Sequence, residues 1–146
     1  RPSGWCRRSA ATGTRCLPMH TVVTCSTFVQ HDMDVTGLGF ARGATPYDQT
    51  PATLEFPNLF PELTAAVCGS GDCFQTGETS IACEVVDMEA YALAKVCYLE
   101  GARFASVKYI TDGADHSAAT DWQANLHKAA EQFLRCYKQV CAEQRA

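Results

Sequence analysis

The sequence predicts an α/β domain, with a mixed, mainly parallel central sheet flanked by helices. Three observations carry this expectation. Short segments rich in β-branched and apolar residues recur at 21–29, 63–68, 83–87 and 104–110, most of them closed by polar or glycine-containing turns. Two segments with an apolar period near 3.6 lie among and after them, at 88–100 and 120–140. Strands that alternate with helices need crossover connections, and these favour parallel neighbours.

The bulk properties narrow the class. A chain of 146 residues suffices for one domain with its own core. With 47% hydrophobic and 19% charged residues the composition is ordinary for a globular protein. A net charge of −4 gives no electrostatic reason to expect nucleic acid or an anionic membrane as partner. No apolar run approaches the ~20 residues of a membrane span, and the opening Arg1-Pro2-Ser3-Gly4-Trp5-Cys6 has no apolar stretch behind it. The nine cysteines are odd in number and never spaced C-x-x-C. Cys68, Cys83, Cys97 and Cys136 fall in apolar or periodic segments, which predicts reduced, buried thiols in a cytoplasmic protein and little support for zinc.

In chain order, residues 1–20 are rich in Arg, Ser, Thr and Gly without a clear period, and are expected to be an atypical, poorly ordered segment before a domain at 21–146. Thr21–Val29 is the first strand of that domain. A long Gly- and Pro-punctuated loop with a short helical turn then runs to Pro61, long enough to suggest a binding role. Leu63–Cys68 is a second strand, stopped by Gly69-Ser70-Gly71-Asp72. A third, Cys83–Asp87, feeds a helix from Met88 to Glu100 whose apolar face is Tyr91, Ala92, Val96 and Leu99, with Gly101 as the residue after its C-cap. After a fourth strand, Phe104–Ile110, Thr120 and Gln123 form a capping-box signature. They open a helix with the stripe Trp122, Leu126, Ala129, Ala130, Phe133, Tyr137 and Val140.

Two strand ends carry carboxylates: Val85-Val86-Asp87-Met88-Glu89-Ala90 and Tyr109-Ile110-Thr111-Asp112-Gly113-Ala114-Asp115. In open α/β sheets, ligands bind beyond the carboxyl ends of the strands. If these strands are parallel neighbours or near-neighbours, Glu89 and Asp112 converge on one crevice. Two carboxylates in different surroundings can there divide into a protonated acid and an ionised partner. The structural alternative makes Glu89 a first-turn helix acid and Asp112 a solvated turn residue. Gly69-Ser70-Gly71-Asp72-Cys73-Phe74 could admit a ligand close to the backbone, but it is neither a Walker A nor a dinucleotide motif. Phe74 either stacks on a planar ligand or fills the core. His31, Asp32, Asp34 and His116 offer metal-ligand types without metal-site spacing, so no metal is expected.

Taken together, these residues resemble the nucleoside phosphorylase superfamily, and within it the 5′-methylthioadenosine/S-adenosylhomocysteine nucleosidase branch. The resemblance runs from about Thr21 to Val140. It rests on Val86-Asp87-Met88-Glu89-Ala90, Ile110-Thr111-Asp112-Gly113-Ala114-Asp115, Gly69-Ser70-Gly71-Asp72-Cys73-Phe74, and His31-Asp32-Met33-Asp34-Val35-Thr36 with Gly39-Phe40, in the family's order.

The resemblance implies a three-layer phosphorylase-like fold lacking its N-terminal strands. It also implies hydrolysis of the N-glycosidic bond of 5′-thio-substituted adenine nucleosides, with no cofactor. Asp112 matches the general acid that meets adenine N7, and Glu89 the carboxylate that grips the ribose hydroxyls. Met88 lies against the sugar with Asp87 beside it, Phe74 stacks on adenine, and the backbone of Gln75 reads the purine edge. Val35, Leu38, Phe40 and Pro46 match positions that reach a neighbouring subunit's pocket, implying a homodimer with a shared site.

Departures accompany the match. The segment between Phe74 and Cys83 is short, Thr111 stands where Ser is usual, and Leu38 replaces an aromatic. The family's water-activating carboxylate has no counterpart in residues 1–20, so the chain alone is expected to bind adenine-type ligands weakly and to be poorly active. A purine or uridine phosphorylase is the nearest alternative activity. A non-catalytic ligand-binding or dimerisation module is the alternative of another class.

Overall fold

A computed structural model describes residues 5–6, 17–73, 75, 79–111 and 118–143. They carry strands β1 (Trp5–Cys6), β2 (Val22–Gln30), β3 (Thr53–Glu55), β4 (Thr64–Ser70), β5 (Val85–Asp87) and β6 (Ser106–Tyr109), and helices α1 (Ala90–Leu99) and α2 (Ala118–Glu143). The six strands form one mixed sheet in the order β1-β5-β4-β2-β3, with β6 also paired to β2. β2, β4 and β5 are mutually parallel, and β1, β3 and β6 run antiparallel to their neighbours.

Burial explains why the middle strands are nearly continuous apolar runs. Val85 faces a core shared with Val23, Cys25, Phe28, Ala66, Cys68, Ile110 and the inner face of α1. Its neighbour Val86 faces a second cluster with Val29 and Cys83, against which Val67 and Ile81 pack. Parallel strands covered on both faces cannot alternate apolar with polar residues. Strand β2 contains a register shift between Cys25 and Thr27. The extra residue flips the parity of the strand, so Val23, Cys25 and Phe28 all reach the first core while Val29 reaches the second. Because β4 occupies one edge of β2 throughout, β6 and β3 share the other edge on either side of that bulge.

Several expectations are corrected. β6 is antiparallel to β2, not the next parallel strand, and it pairs with β2 rather than with β5. β4 continues through Gly69 to Ser70, and β5 begins at Val85 rather than Cys83. The long loop contains the short strand β3 as well as the expected helical turn, which forms over Thr36–Leu38.

Helix α1 starts at Ala90, and its buried residues are Ala90, Tyr91 and Ala94. Val96 and Leu99, expected to be inward, are 60% and 64% exposed, and Ala92 is exposed too. The helix rests on the sheet through Ala90 and Ala94, whose small side chains permit a close approach. Its C-terminal turn ends as expected, with Gly101 at φ 61°. α2 already includes Ala118, so Thr120 lies inside the helix and is not its cap. Ala129 is buried and Phe133 half-buried, as the stripe predicts, but Ala130 and Tyr137 are exposed, because the inward line continues through Gln132 and Cys136 instead.

Two parts of the 1–20 segment are placed. β1 pairs with β5, and Leu17 joins the core at 4% exposure, with the His20 amide donating to the Ile110 carbonyl at 2.8 Å. Of the expected buried thiols, Cys68 and Cys83 are buried and Cys97 and Cys136 half-buried, all four unbridged. No helix among the described residues is long and apolar enough to cross a membrane.

Candidate functional site at the carboxyl ends of the parallel strands

The carboxyl ends of β2, β4 and β5 lie side by side, with Gln30 opposite Ser70 and Ser70 opposite Asp87. Above them opens a cleft of about 160 Å³ lined by Gln30, Ser70, Gly71, Asp72, Met88, Tyr91, Ala92 and Lys95. Small-molecule sites usually measure roughly 300–1,000 Å³, so these walls amount to part of a site for a ligand of nucleoside size.

Asp87 and Glu89, two residues apart, have different work. Asp87 is buried, and both of its oxygens are used inside the protein. Its Oδ1 accepts from Ser70 Oγ at 2.5 Å, the Glu89 amide at 3.3 Å and the Ala90 amide at 3.2 Å. Its Oδ2 accepts from the Ala90 amide at 3.2 Å and forms an ion pair with Lys108 Nζ. Ser70 Oγ in turn accepts from the Tyr91 amide at 2.8 Å. The first amides of α1, which have no partners within the helix, are therefore capped by Asp87 and Ser70. Glu89 occupies the N-cap position without a side-chain cap bond. Its carboxylate is exposed and, among the described residues, makes no hydrogen bond. Glu89 is thus the N-cap residue rather than a first-turn acid, and the hydrogen-bonded capping is done by Asp87 and Ser70.

Met88 stands between them, 47% exposed on the cleft wall. Gln75 is half-buried just beyond the glycine-rich turn. Phe74, Asp112 and His116 lie outside the described residues, so the expected convergence of Asp112 with Glu89 is not part of this geometry. In the long loop, Leu38 is 74% exposed, while Val35, Phe40 and Pro46 are half-buried. Phe40 meets Tyr47 edge-on at 5.3 Å, and Tyr47 itself is 94% exposed. Lys95 on the cleft wall pairs with Asp48 of this loop and ties it to α1.

The glycine-rich turn is close-packed by the chain's own side chains. A Cβ on Gly69 would sit 2.5 Å from Cys83 Sγ, and one on Gly71 would sit 2.6 Å from His31 Nε2. Asp32 Oδ2 accepts from the Asp72 amide at 2.7 Å and holds the turn. These contacts account for both glycines without a ligand near the backbone.

His31 and Asp34, candidates for a metal, diverge. His31 is buried under Gly71, whereas Asp34 binds Thr36 Oγ1 at 2.7 Å and Arg42 at 2.8 Å. Among the described residues no group of three potential ligands could hold a metal ion. Burial lowers the His31 pKa, outweighing the nearby Asp32 and Asp87 charges. Since the unfolded chain then binds the proton more readily, stability is full above about 6.5 and is lost as pH falls through the lowered folded value. Urea midpoints compared at pH 8 and pH 5.5 should show this loss, and His31→Leu should flatten the slope.

Sequence reasoning passed over Lys108. It is 8% exposed in β6, and its one visible signal is a charge inside the apolar run 104–110. Burial disfavours the ammonium, but the Asp87 carboxylate that it meets more than offsets this, so its pKa is raised. Hydrogen bonding to Cys25 and burial hold the Cys68 thiol well above its ordinary range. A protonated Cys68 leaves Asp87 as the anion that balances Lys108.

An α/β sheet with an apolar-walled cleft and a free carboxylate at its strand ends has the form of a small-molecule site. The chain belongs to the phosphorylase superfamily, whose model matches residues 10–142. A 5′-methylthioadenosine/S-adenosylhomocysteine nucleosidase of Actinobacillus succinogenes is 29% identical over 87% of this chain and 63% of its own length. The nucleosidase of a Haemophilus influenzae strain is 32% identical over 70% of the chain and 52% of its own. The chain thus spans between about half and two thirds of the length of such relatives.

Among solved structures, a Helicobacter pylori futalosine hydrolase mutant superposes with a TM-score of 0.82 at 20% identity, covering 97% of this chain and 66% of that one. The Helicobacter pylori methylthioadenosine/S-adenosylhomocysteine nucleosidase gives 0.80 at 20% identity, with the same coverages. At that identity they establish the fold, a mixed sheet flanked by helices as in the phosphorylases.

Proposed function

We propose that this chain carries the nucleoside-binding half of a purine nucleosidase, which hydrolyses the N-glycosidic bond of 5′-thio-substituted adenine nucleosides such as methylthioadenosine and S-adenosylhomocysteine and releases adenine. One observation carries the reading: Glu89, next in sequence to Met88 of the cleft wall, is exposed and makes no side-chain hydrogen bond among the described residues, while Asp87 and Ser70 do the capping. The names of the relatives above point the same way.

Cleavage of such a bond passes through an oxocarbenium-like state, so charge must be steadied on the sugar while the base leaves neutral. Glu89 accepts hydrogen bonds from the ribose hydroxyls and faces the developing cation, and Met88 packs on the sugar. Asp112 gives a proton to adenine N7, Phe74 stacks on the ring, and the Gln75 backbone reads its edge. Water then adds at the anomeric carbon and gives up a proton to solvent, leaving the free sugar. A second copy completes the pocket around the 5′-thio group with Val35, Leu38, Phe40 and Pro46. The exposure of Leu38 and Tyr47 supports that role, since a lone copy leaves them in solvent. The protein works in the cytoplasm and needs no cofactor, nucleic acid or membrane.

Adenine formation from methylthioadenosine, followed with and without inorganic phosphate, tests the proposal. The chain alone should release adenine slowly, at a rate indifferent to phosphate. Dependence on phosphate would replace the hydrolase with a phosphorylase, and fast release would overturn the view that the chain lacks part of the catalytic apparatus.

A further inference from the structure

We propose that Lys108 is a positioning residue for Glu89, acting through Asp87; the inference rests on the reading of Glu89 as the ribose grip. Lys108 is not among the residues that line the cleft. Its ammonium is buried and meets Asp87 Oδ2, so the carboxylate that receives the Glu89 and Ala90 amides is held from behind by β6. Asp87 has no other cationic partner among the described residues. Without that cation, an ionised Asp87 would be buried against its own helix end alone, and the Met88–Glu89 turn would lose its anchor.

The same ion pair links two elements that sequence order keeps apart. Lys108 lies in the strand whose chain continues directly through Tyr109, Ile110 and Thr111 toward Asp112, whereas Asp87 ends β5 and fixes the turn bearing Glu89. Strands β5 and β6 are not hydrogen-bonded neighbours, since β4 and β2 lie between them in the pairing order. A side-chain bridge over those two strands therefore couples the ribose-facing turn to the strand leading to the purine-facing acid. It is a short route by which misplacement of one would be felt at the other.

The test compares the dissociation constants of the chain for methylthioadenosine and for free adenine, titrated by NMR. Their ratio isolates the contribution of the ribose. In the wild type the nucleoside should bind at least 10-fold more tightly than adenine. Lys108→Met should reduce that preference at least 10-fold and leave adenine binding within 2-fold, and Lys108→Arg should restore most of it. If Lys108→Met does not fold, the double change Lys108→Met with Asp87→Asn removes both charges, keeps an acceptor for the amides, and is read the same way. A wild-type chain with no preference for the nucleoside, or a preference insensitive to Glu89→Gln, would overturn the ribose-grip reading and this inference with it. A preference that Glu89→Gln abolishes but the Lys108 variants retain would overturn the positioning role alone.

Discussion

Replacing Asp87 by alanine is expected to destabilise the fold by about 3–5 kcal/mol, the usual cost of removing one partner of a buried ion pair. The carboxylate is the acceptor for Ser70 Oγ and for the Glu89 and Ala90 amides, and the counter-charge of Lys108. Alanine strands the Lys108 ammonium in a core lined by Cys25 and Cys68, where a charge can neither hydrate nor find a second anion among the described residues. The lost amide bonds add to this, since buried donors left without acceptors each cost roughly 1–3 kcal/mol. The individual costs overlap and are not summed. Asp87→Asn should be milder, because one oxygen still caps the helix while the charge and one acceptor are lost. Urea unfolding by circular dichroism measures both, and a loss for alanine below about 1 kcal/mol would mean that the ion pair and cap contribute little. The same comparison bears on function. A ligand-binding aspartate could be replaced with little effect on folding, whereas an internal cap cannot.

How much of this was legible depends on which interaction writes the signal. β5 and its acidic end were readable because Val85 and Val86 are buried on opposite faces and turn the strand into a continuous apolar run. The C-terminal end of α1 was readable because Gly101 takes a left-handed conformation that few other residues accept. The inner face of α1 was readable only in part. Tyr91 is buried as expected, but hydrophobicity also favoured Val96 and Leu99, where the sheet takes the small residues Ala90 and Ala94 instead.

The direction of β6 was equally hidden. Its composition suits either direction, and its place on β2 is set by the bulge at Cys25–Thr27, which divides that edge between β6 and β3. At the candidate site, the pattern of acids marked the end of β5, but no local pattern could divide the labour between Asp87 and Glu89. That division depends on Lys108 and Ser70, 21 and 17 residues away in sequence. The glycines of the 69–71 turn illustrate the opposite error. A glycine-rich turn after a strand suggests room for a ligand, and here the room is taken by Cys83 and His31.

Asp112→Asn is expected to lower the rate of adenine release from methylthioadenosine by about 10²–10⁴-fold, the span that a positioned general acid contributes. Adenine is a poor leaving group as an anion, and a proton delivered to N7 as the C–N bond stretches lets it depart neutral. Asparagine keeps the shape of the carboxyl group and can still donate a hydrogen bond to N7, so nucleoside binding should change little and the loss should fall on kcat. An interaction made in the transition state alone behaves in this way. Glu89→Gln should differ, because a carboxylate that grips the ribose contacts the ground state as well and should affect both KM and kcat. The two variants can therefore be told apart by how the loss divides between the two constants. If Asp112→Asn released adenine at the wild-type rate, no proton would be passing through this residue. The chain would then be better described as a ligand-binding or dimerisation module that keeps the fold and the free Glu89 without the chemistry.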